Sequence, residues 1–208
     1  MSLSQVRWIG GASGAGKSTI ARALATTYGL RLYDTDAMMA EHATRSSAAD
    51  APRLAEFSAM TMDERWVDRS PHVMLETFHW YRGEGFDLIT EDLRRLPATP
   101  GVIAEGFRLL PHLVRPHLRD PAHAVWLLPT PEFRRAAFDS RGSTWHIAGR
   151  TSDPRRALAN LLERDRLFTE HLRAETGRLG LHAITVEPGM TEQELTAEVA
   201  DRLKIHAG

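Results

Sequence analysis

The chain has 208 residues, of which 42% are hydrophobic and 25% charged, and its formal net charge is −1. That length suits one domain, and the balanced charge offers no electrostatic footprint for nucleic acid or an anionic membrane. Cysteine is absent, which excludes disulfides, zinc–thiolate sites and a thiol nucleophile.

The chain opens on a short polar lead, residues 2–5, without the charged-then-apolar layout of a signal peptide. No apolar run approaches the roughly 20 residues of a membrane helix, so the expectation is a cytoplasmic protein. Residues 6–9, Val-Arg-Trp-Ile, read as a buried strand running into a glycine loop. A helix follows from Lys17, with Ile20, Leu24 and Tyr28 on one face at spacing four and Gly29 as its terminating residue. Residues 30–33 form a second short strand that delivers Asp34-Thr35-Asp36 at its carboxyl end. Residues 37–100 are long and mostly helical and contain Met60, Trp66, Phe78, Trp80, Tyr81 and Phe86.

A third strand, 102–104, ends at Glu105-Gly106, and a fourth covers 124–128. Thr130-Pro131 then opens a helix, Thr as cap and Pro in the first turn. Residues 139–153 read as a polar loop leading into an amphipathic helix with Leu158, Leu161, Leu162, Phe168 and Leu172. A fifth strand spans 181–186, and Thr191-Glu192-Gln193-Glu194 is a capping box for the last helix. Strands alternating with helices imply a parallel sheet covered on both faces.

The run from Gly11 to Ser18, Gly-Ala-Ser-Gly-Ala-Gly-Lys-Ser, satisfies the full Walker A pattern between an apolar strand and an amphipathic helix. Gly14 and Gly16 let successive N–H groups, with those of Ser13, Ala15 and Thr19 nearby, turn toward a β-phosphate, and the helix adds its positive end. Lys17 is expected at the β- and γ-phosphates and Ser18 at Mg²⁺. A dinucleotide loop needs Gly-x-Gly-x-x-Gly, a spacing that Gly11, Gly14 and Gly16 lack. A guanine-reading Asn/Thr-Lys-x-Asp motif has no available lysine, since Lys17 and Lys204 are the only two. An ABC signature needs Gly-Gly-Gln, and the glutamines are Gln5 and Gln193. What remains is the kinase branch.

The loop, the Asp34/Asp36 pair after strand two and an Arg-rich segment late in the chain resemble the small-molecule P-loop kinases, such as shikimate kinase, gluconate kinase and chloramphenicol phosphotransferase, with nucleoside monophosphate kinases as cousins. The resemblance implies a three-layer α/β fold with a five-stranded parallel sheet in the order 2-3-1-4-5, within a single domain over 1–208. It further implies a helical acceptor-side insertion at 37–100 and a lid at 139–156. It implies that Asp34 assists the metal and that Asp36 binds the acceptor hydroxyl and is the candidate base, a role that suits a carboxylate at a strand end beside the phosphates. Val102 to Arg108 is similar to the Asp-Gly-Phe-Pro-Arg segment of adenylate kinases. Glu105 is then a catalytic or acceptor-side carboxylate, and Arg108 a residue for an anionic part of the acceptor. The departures, Glu for Asp and no Pro before the Arg, speak against a nucleotide acceptor.

Between 134 and 166 lie eight arginines, at 134, 135, 141, 150, 155, 156, 164 and 166, and four acids. Planar guanidinium suits the spread charge of a transferring phosphoryl group. Arg141 and Arg150, in the segment bounded by Gly142 and Gly149, are the first candidates for catalysis; Arg141 and Arg164 are candidates for nucleotide contact. Trp80 is a candidate on the acceptor side. The expectation is Mg²⁺·ATP-dependent phosphotransfer to a hydroxyl of a small polar metabolite or natural product. A nucleoside or nucleoside monophosphate kinase is one alternative, and a slow ATP-dependent switch is another. The partners expected are ATP, ADP and a small acceptor. The histidines are scattered and none has metal-ligand spacing.

Overall fold

A computed structural model describes residues 3–141 and 143–205, with the side chains of 138–145 outside the description. In chain order the elements are β1 (Val6–Gly11), α1 (Lys17–Tyr28), β2 (Arg31–Asp34), α2 (Met39–Arg45), α3 (Pro52–Ala59), α4 (Met62–Trp66), α5 (Pro71–Thr77) and α6 (Phe86–Arg95). There follow β3 (Val102–Glu105), α7 (Pro111–Val114), β4 (Ala124–Pro129), α8 (Pro131–Arg141), α9 (Ser143–Ala148), α10 (Pro154–Leu179), β5 (His182–Val186) and α11 (Glu192–Arg202).

Among the described residues five strands form one parallel sheet in the order β2-β3-β1-β4-β5. Period-two alternation divides each inner strand between two cores. Trp8, Val102, Ala104, Trp126 and Leu128 point to the side covered by α6, α7 and α10, where Ile89, Leu93, Phe168 and Leu172 pack. Ile9, Ile103, Val125 and Leu127 point to the other side, against Ile20 and Leu24 of α1 and Val199 and Leu203 of α11. Each Leu or Ile buried this completely contributes about 1.5–3 kcal/mol, so the spacing of Ile20 and Leu24 is what fastens α1 under the sheet.

Helix ends follow local chemistry. Gly29 closes α1 in the left-handed region at φ 63°. Thr191 and Glu194 make the expected capping box on α11. Thr130 accepts from the N–H of Phe133 at the start of α8. Residues 37–100 are helical as expected, holding α2 to α6.

One expectation fails: 139–153 is not a loop. It carries the end of α8, the short helix α9 and a turn. The reason is tertiary. Ala148 at the end of α9 is fully buried in a third apolar cluster with Trp66, Val67, Met74, Ala157 and Leu161. Ser152 N–H donates to Asp63 at 2.8 Å. The segment thus rests on the insertion, at α4. Gly142, one of the two glycines that bound the candidate arginine segment, lies outside the described residues.

Candidate active site

β1 delivers the loop between its neighbours β3 and β4, and the loop's geometry follows from its glycines. Gly14 and Gly16 have φ of 77° and 81°, values that only glycine adopts at little cost. A Cβ on Gly16 would meet nothing within 4 Å, so the loop there faces open space. Among the described residues, no hydrogen bond uses the N–H groups of Ser13 to Ser18. These unpaired donors at the start of α1 form a cradle for an anion. Lys17 is 6% exposed, and its ammonium donates to the Ala12 carbonyl at 2.9 Å.

Parallel pairing in register sets Asp34 of β2 beside Glu105 of β3, and Glu105 beside Ile9 of β1. Asp34 folds back on its own turn, its Oδ1 accepting from the N–H groups of Asp36 and Ala37 at 2.9 and 3.0 Å. That turn presents the half-buried Asp36 side chain, which is no helix cap: Met38 holds the cap position of α2 without a side-chain bond. Gly106 has to be glycine, because a Cβ would lie 1.8 Å from Thr35 Oγ1 and 2.9 Å from Asp36 Oδ1.

The carboxylates share one electrostatic field with the loop. Burial raises the Asp36 pKa, with Asp34 reinforcing the rise and Lys17, Thr35 and Arg108 opposing it. Glu105 is fully buried and pushed up to about 7, chiefly by desolvation. Lys17 and the nearby Ser18 hydroxyl oppose that rise, whereas Asp34 and Asp36 add to it. Neither Glu105 oxygen has a hydrogen-bond partner of ordinary geometry.

The shift at Glu105 carries a sign that can be checked. Its folded pKa of about 7 lies above its ordinary 4.5, so the native state holds the proton that the unfolded chain has lost. Stability therefore falls as pH rises from about 4.5 through about 7, by roughly 3 kcal/mol at full ionisation. In nucleotide-free protein, Glu105→Gln is expected to match wild type in thermal stability near pH 5 and to exceed it progressively toward pH 8. A difference that does not change with pH would mean that the carboxylate is compensated in the native state.

The donors fit Mg²⁺ and a nucleoside triphosphate. Ser18, Asp34 and Glu105 offer hard oxygen ligands beside the cradle, with two of those oxygens, on Glu105, unpartnered. Among the described residues no group of three or more His, Cys, Asp or Glu side chains could hold a metal ion. Mg²⁺ ordinarily completes its shell with water and phosphate around one or two carboxylates.

Other candidates fall elsewhere. Arg108 is 2% exposed and committed: it donates to the Thr35 carbonyl at 3.2 Å, to the Gly85 carbonyl at 3.1 Å and to His42 Nδ1 at 3.0 Å. Its guanidinium lies 4.1 Å from the centre of the Trp80 ring, and Trp80 is itself buried. The pair is an internal stack, with its faces already in use. Burial lowers the Arg108 pKa to about 10, against the pull of Tyr33, Asp36 and Asp92. Arg164 is interior too, bonded to Asp165 and enclosed by Trp66, Phe78 and Tyr81. It joins α10 to the insertion and presents no open nucleotide surface here. Arg150 is exposed, with no side-chain partner among the described residues. The Arg141 side chain lies outside the described residues.

Sequence reading missed one element of the site. Because arginine only donates, the bond from Arg108 makes Nδ1 of His42 an acceptor, so the ring is neutral and its Nε2–H donates to Asp92 at 2.8 Å. Asp92 also accepts from the Tyr33 hydroxyl and from Arg45, each at 2.8 Å. Positions 42 and 92 carry no local signal of this pairing.

A family model for shikimate kinase matches residues 13–53. No curated protein matches the chain. Solved structures that the chain matches include shikimate kinase from Acinetobacter baumannii in complex with shikimate, at 15% identity and a TM-score of 0.44, over 94% of this chain and 90% of that one. They also include deoxyadenosine kinase from M. mycoides with bound dATP, at 10% identity and a TM-score of 0.50, over 96% and 99%. With the five parallel strands in the order 2-3-1-4-5 and the Walker A loop after the first, the chain has the fold of the P-loop kinases.

Proposed function

We propose that the protein is a Mg²⁺·ATP-dependent kinase that phosphorylates a hydroxyl of a small polar molecule. The observation that carries this reading is the convergence of Asp34, Asp36 and the buried Glu105 on Lys17 and Ser18 at the ends of β2 and β3. A phosphate-binding loop that served only as a switch needs no set of carboxylates beside the γ-phosphate position.

The free N–H groups of Ser13 to Ser18 bind the phosphate chain, and Lys17 leaves the Ala12 carbonyl to meet it. Ser18 and Asp34 would hold Mg²⁺, and Glu105, beside them at the end of β3, would face the metal site or the acceptor. Mg²⁺, when bound, neutralises charge on the β- and γ-phosphates. Asp36 accepts the acceptor's hydroxyl proton and aligns its oxygen. Arg108 positions the turn at Thr35, and the insertion covers the acceptor. A nucleotide acceptor would need an available anion site, whereas the Arg108 guanidinium is spent on Thr35, His42 and Gly85.

The test is ADP release across a library of hydroxylated metabolites, nucleosides and antibiotics, with and without Mg²⁺. One acceptor class is expected to raise ADP release well above the background, and chelation to abolish it. Slow hydrolysis indifferent to every acceptor would favour the switch. The large apolar side chains exposed among the described residues, Val73 and Ile147, offer little surface for a switch partner.

A further inference from the structure

α10 turns Ala157, Leu161, Arg164, Asp165 and Phe168 inward. Its opposite stripe faces α8 across a cleft of about 400 Å³. Arg134 and Arg135 from α8 and Arg155 and Arg166 from α10 line this cleft, with Glu163 and an apolar floor at Leu158. Neither the phosphate loop nor Asp34, Asp36 or Glu105 contributes to it.

Among the described residues the charges in and beneath the cleft do not balance. Glu163 is spent on Arg166, at 2.7 and 2.8 Å, and Glu170 bonds the same guanidinium. Arg134 is 3% exposed; it bonds the neutral hydroxyl of Thr169, and its Nε has no partner. Asp165, the buried carboxylate whose charge acts on Arg134, accepts with one oxygen from Arg164 at 2.7 and 3.0 Å and from the Tyr81 hydroxyl at 3.0 Å. Two buried guanidinium groups therefore share a single carboxylate. Arg135 and Arg155, both exposed, have no side-chain partner among the described residues. A buried cation without counter-charge is strongly unfavourable, and the partner this arrangement lacks is an anion.

We propose that the cleft between α8 and α10 is a second anion site, separate from the phosphate loop, which binds a phosphorylated small molecule. Arg134, Arg135 and Arg155 take the phosphate, and the floor at Leu158 takes the organic part; the volume falls within the range of ligand pockets, roughly 300–1,000 Å³. Arg134 and Arg135 stand on α8 and Arg155 on α10, on either side of the segment 142–153 in the chain, so an anion bridging them ties together the two helices that flank that segment. The phosphate has two possible sources, the tail of a nucleotide or a phosphomonoester.

The test titrates a non-hydrolysable ATP analogue and, separately, glycerol phosphate into Lys17→Ala protein, where the loop is disabled, following heat and thermal stability. At least one probe is expected to bind with one-to-one stoichiometry, and the tighter of the two assigns the source. Arg135→Ser/Arg155→Ser, surface changes that spare the fold, should weaken that binding at least tenfold, the loss that about 1.4 kcal/mol of charge-assisted bonding represents. Arg134→Met should weaken it likewise while leaving the unliganded protein at least as stable, because an unpaired buried charge is gone. No binding in Lys17→Ala protein, or binding indifferent to the groove variants, overturns the proposal. It is equally overturned if the groove variants weaken only the ATP site of the intact loop.

Discussion

Asp36→Asn is expected to lower acceptor phosphorylation by roughly 100- to 10,000-fold, the range for lost general-base help, with binding of an ATP analogue nearly intact. The substitution keeps the shape, and the Asp36 carbonyl still receives the Met39 N–H that starts α2. Asparagine can also keep the contact with the Thr35 hydroxyl. What disappears is a carboxylate whose proton affinity burial has raised, a shift in the direction that a proton acceptor near neutral pH requires. A loss well below 100-fold, with binding preserved, would assign Asp36 to alignment alone, as a loose phosphoryl transfer allows. Calorimetry of the ATP analogue beside acceptor-dependent ADP release separates these outcomes. If both stay at wild-type values, the acceptor role passes to Glu105.

Lys17→Ala should cost at least about 100-fold in turnover, the usual loss on removing one group that stabilises transition-state charge. Lys17 is also the cation that opposes the effect of burial at both Asp36 and Glu105. Its removal therefore raises both pKa values further, so the fall in stability of nucleotide-free protein still begins at the unfolded carboxyl pKa but continues to higher pH and becomes larger. The two readouts are steady-state turnover and thermal melts across pH. A folded variant with near-normal turnover would remove the loop from the mechanism.

The phosphate loop was legible because its chemistry is local: glycine spacing, one lysine and one hydroxyl within eight residues. The strand order followed from the resemblance, and the caps at Gly29 and Thr191 from their residue types. α9 was not legible. Its run of six residues is too short for periodicity and too short to be stable alone; Ala148 is helical because Trp66 and Val67 receive it. The fate of Arg164 was hidden for a different reason. Neighbours at i and i+1 on a helix do not normally face each other, yet Arg164 and Asp165 meet inside the protein, under the Tyr81 hydroxyl. Sequence marked the arginines as a group, and only packing sorted Arg134 and Arg164 from the exposed Arg135 and Arg150.

The bonds running from Tyr33 through Asp92 and His42 to Arg108 bear on how such a protein can diversify. Tyr33 and Arg108 belong to the sheet side, whereas His42 and Asp92 belong to the insertion. An exchange of residues 37–100 for another helical segment would thus strip partners from a buried guanidinium that also holds the carbonyl of Thr35. The insertion is not a cassette: on the proposed kinase reading, new acceptor preferences have to arise by substitution around a retained His42–Asp92 pair, or by changing Arg108 in the same step.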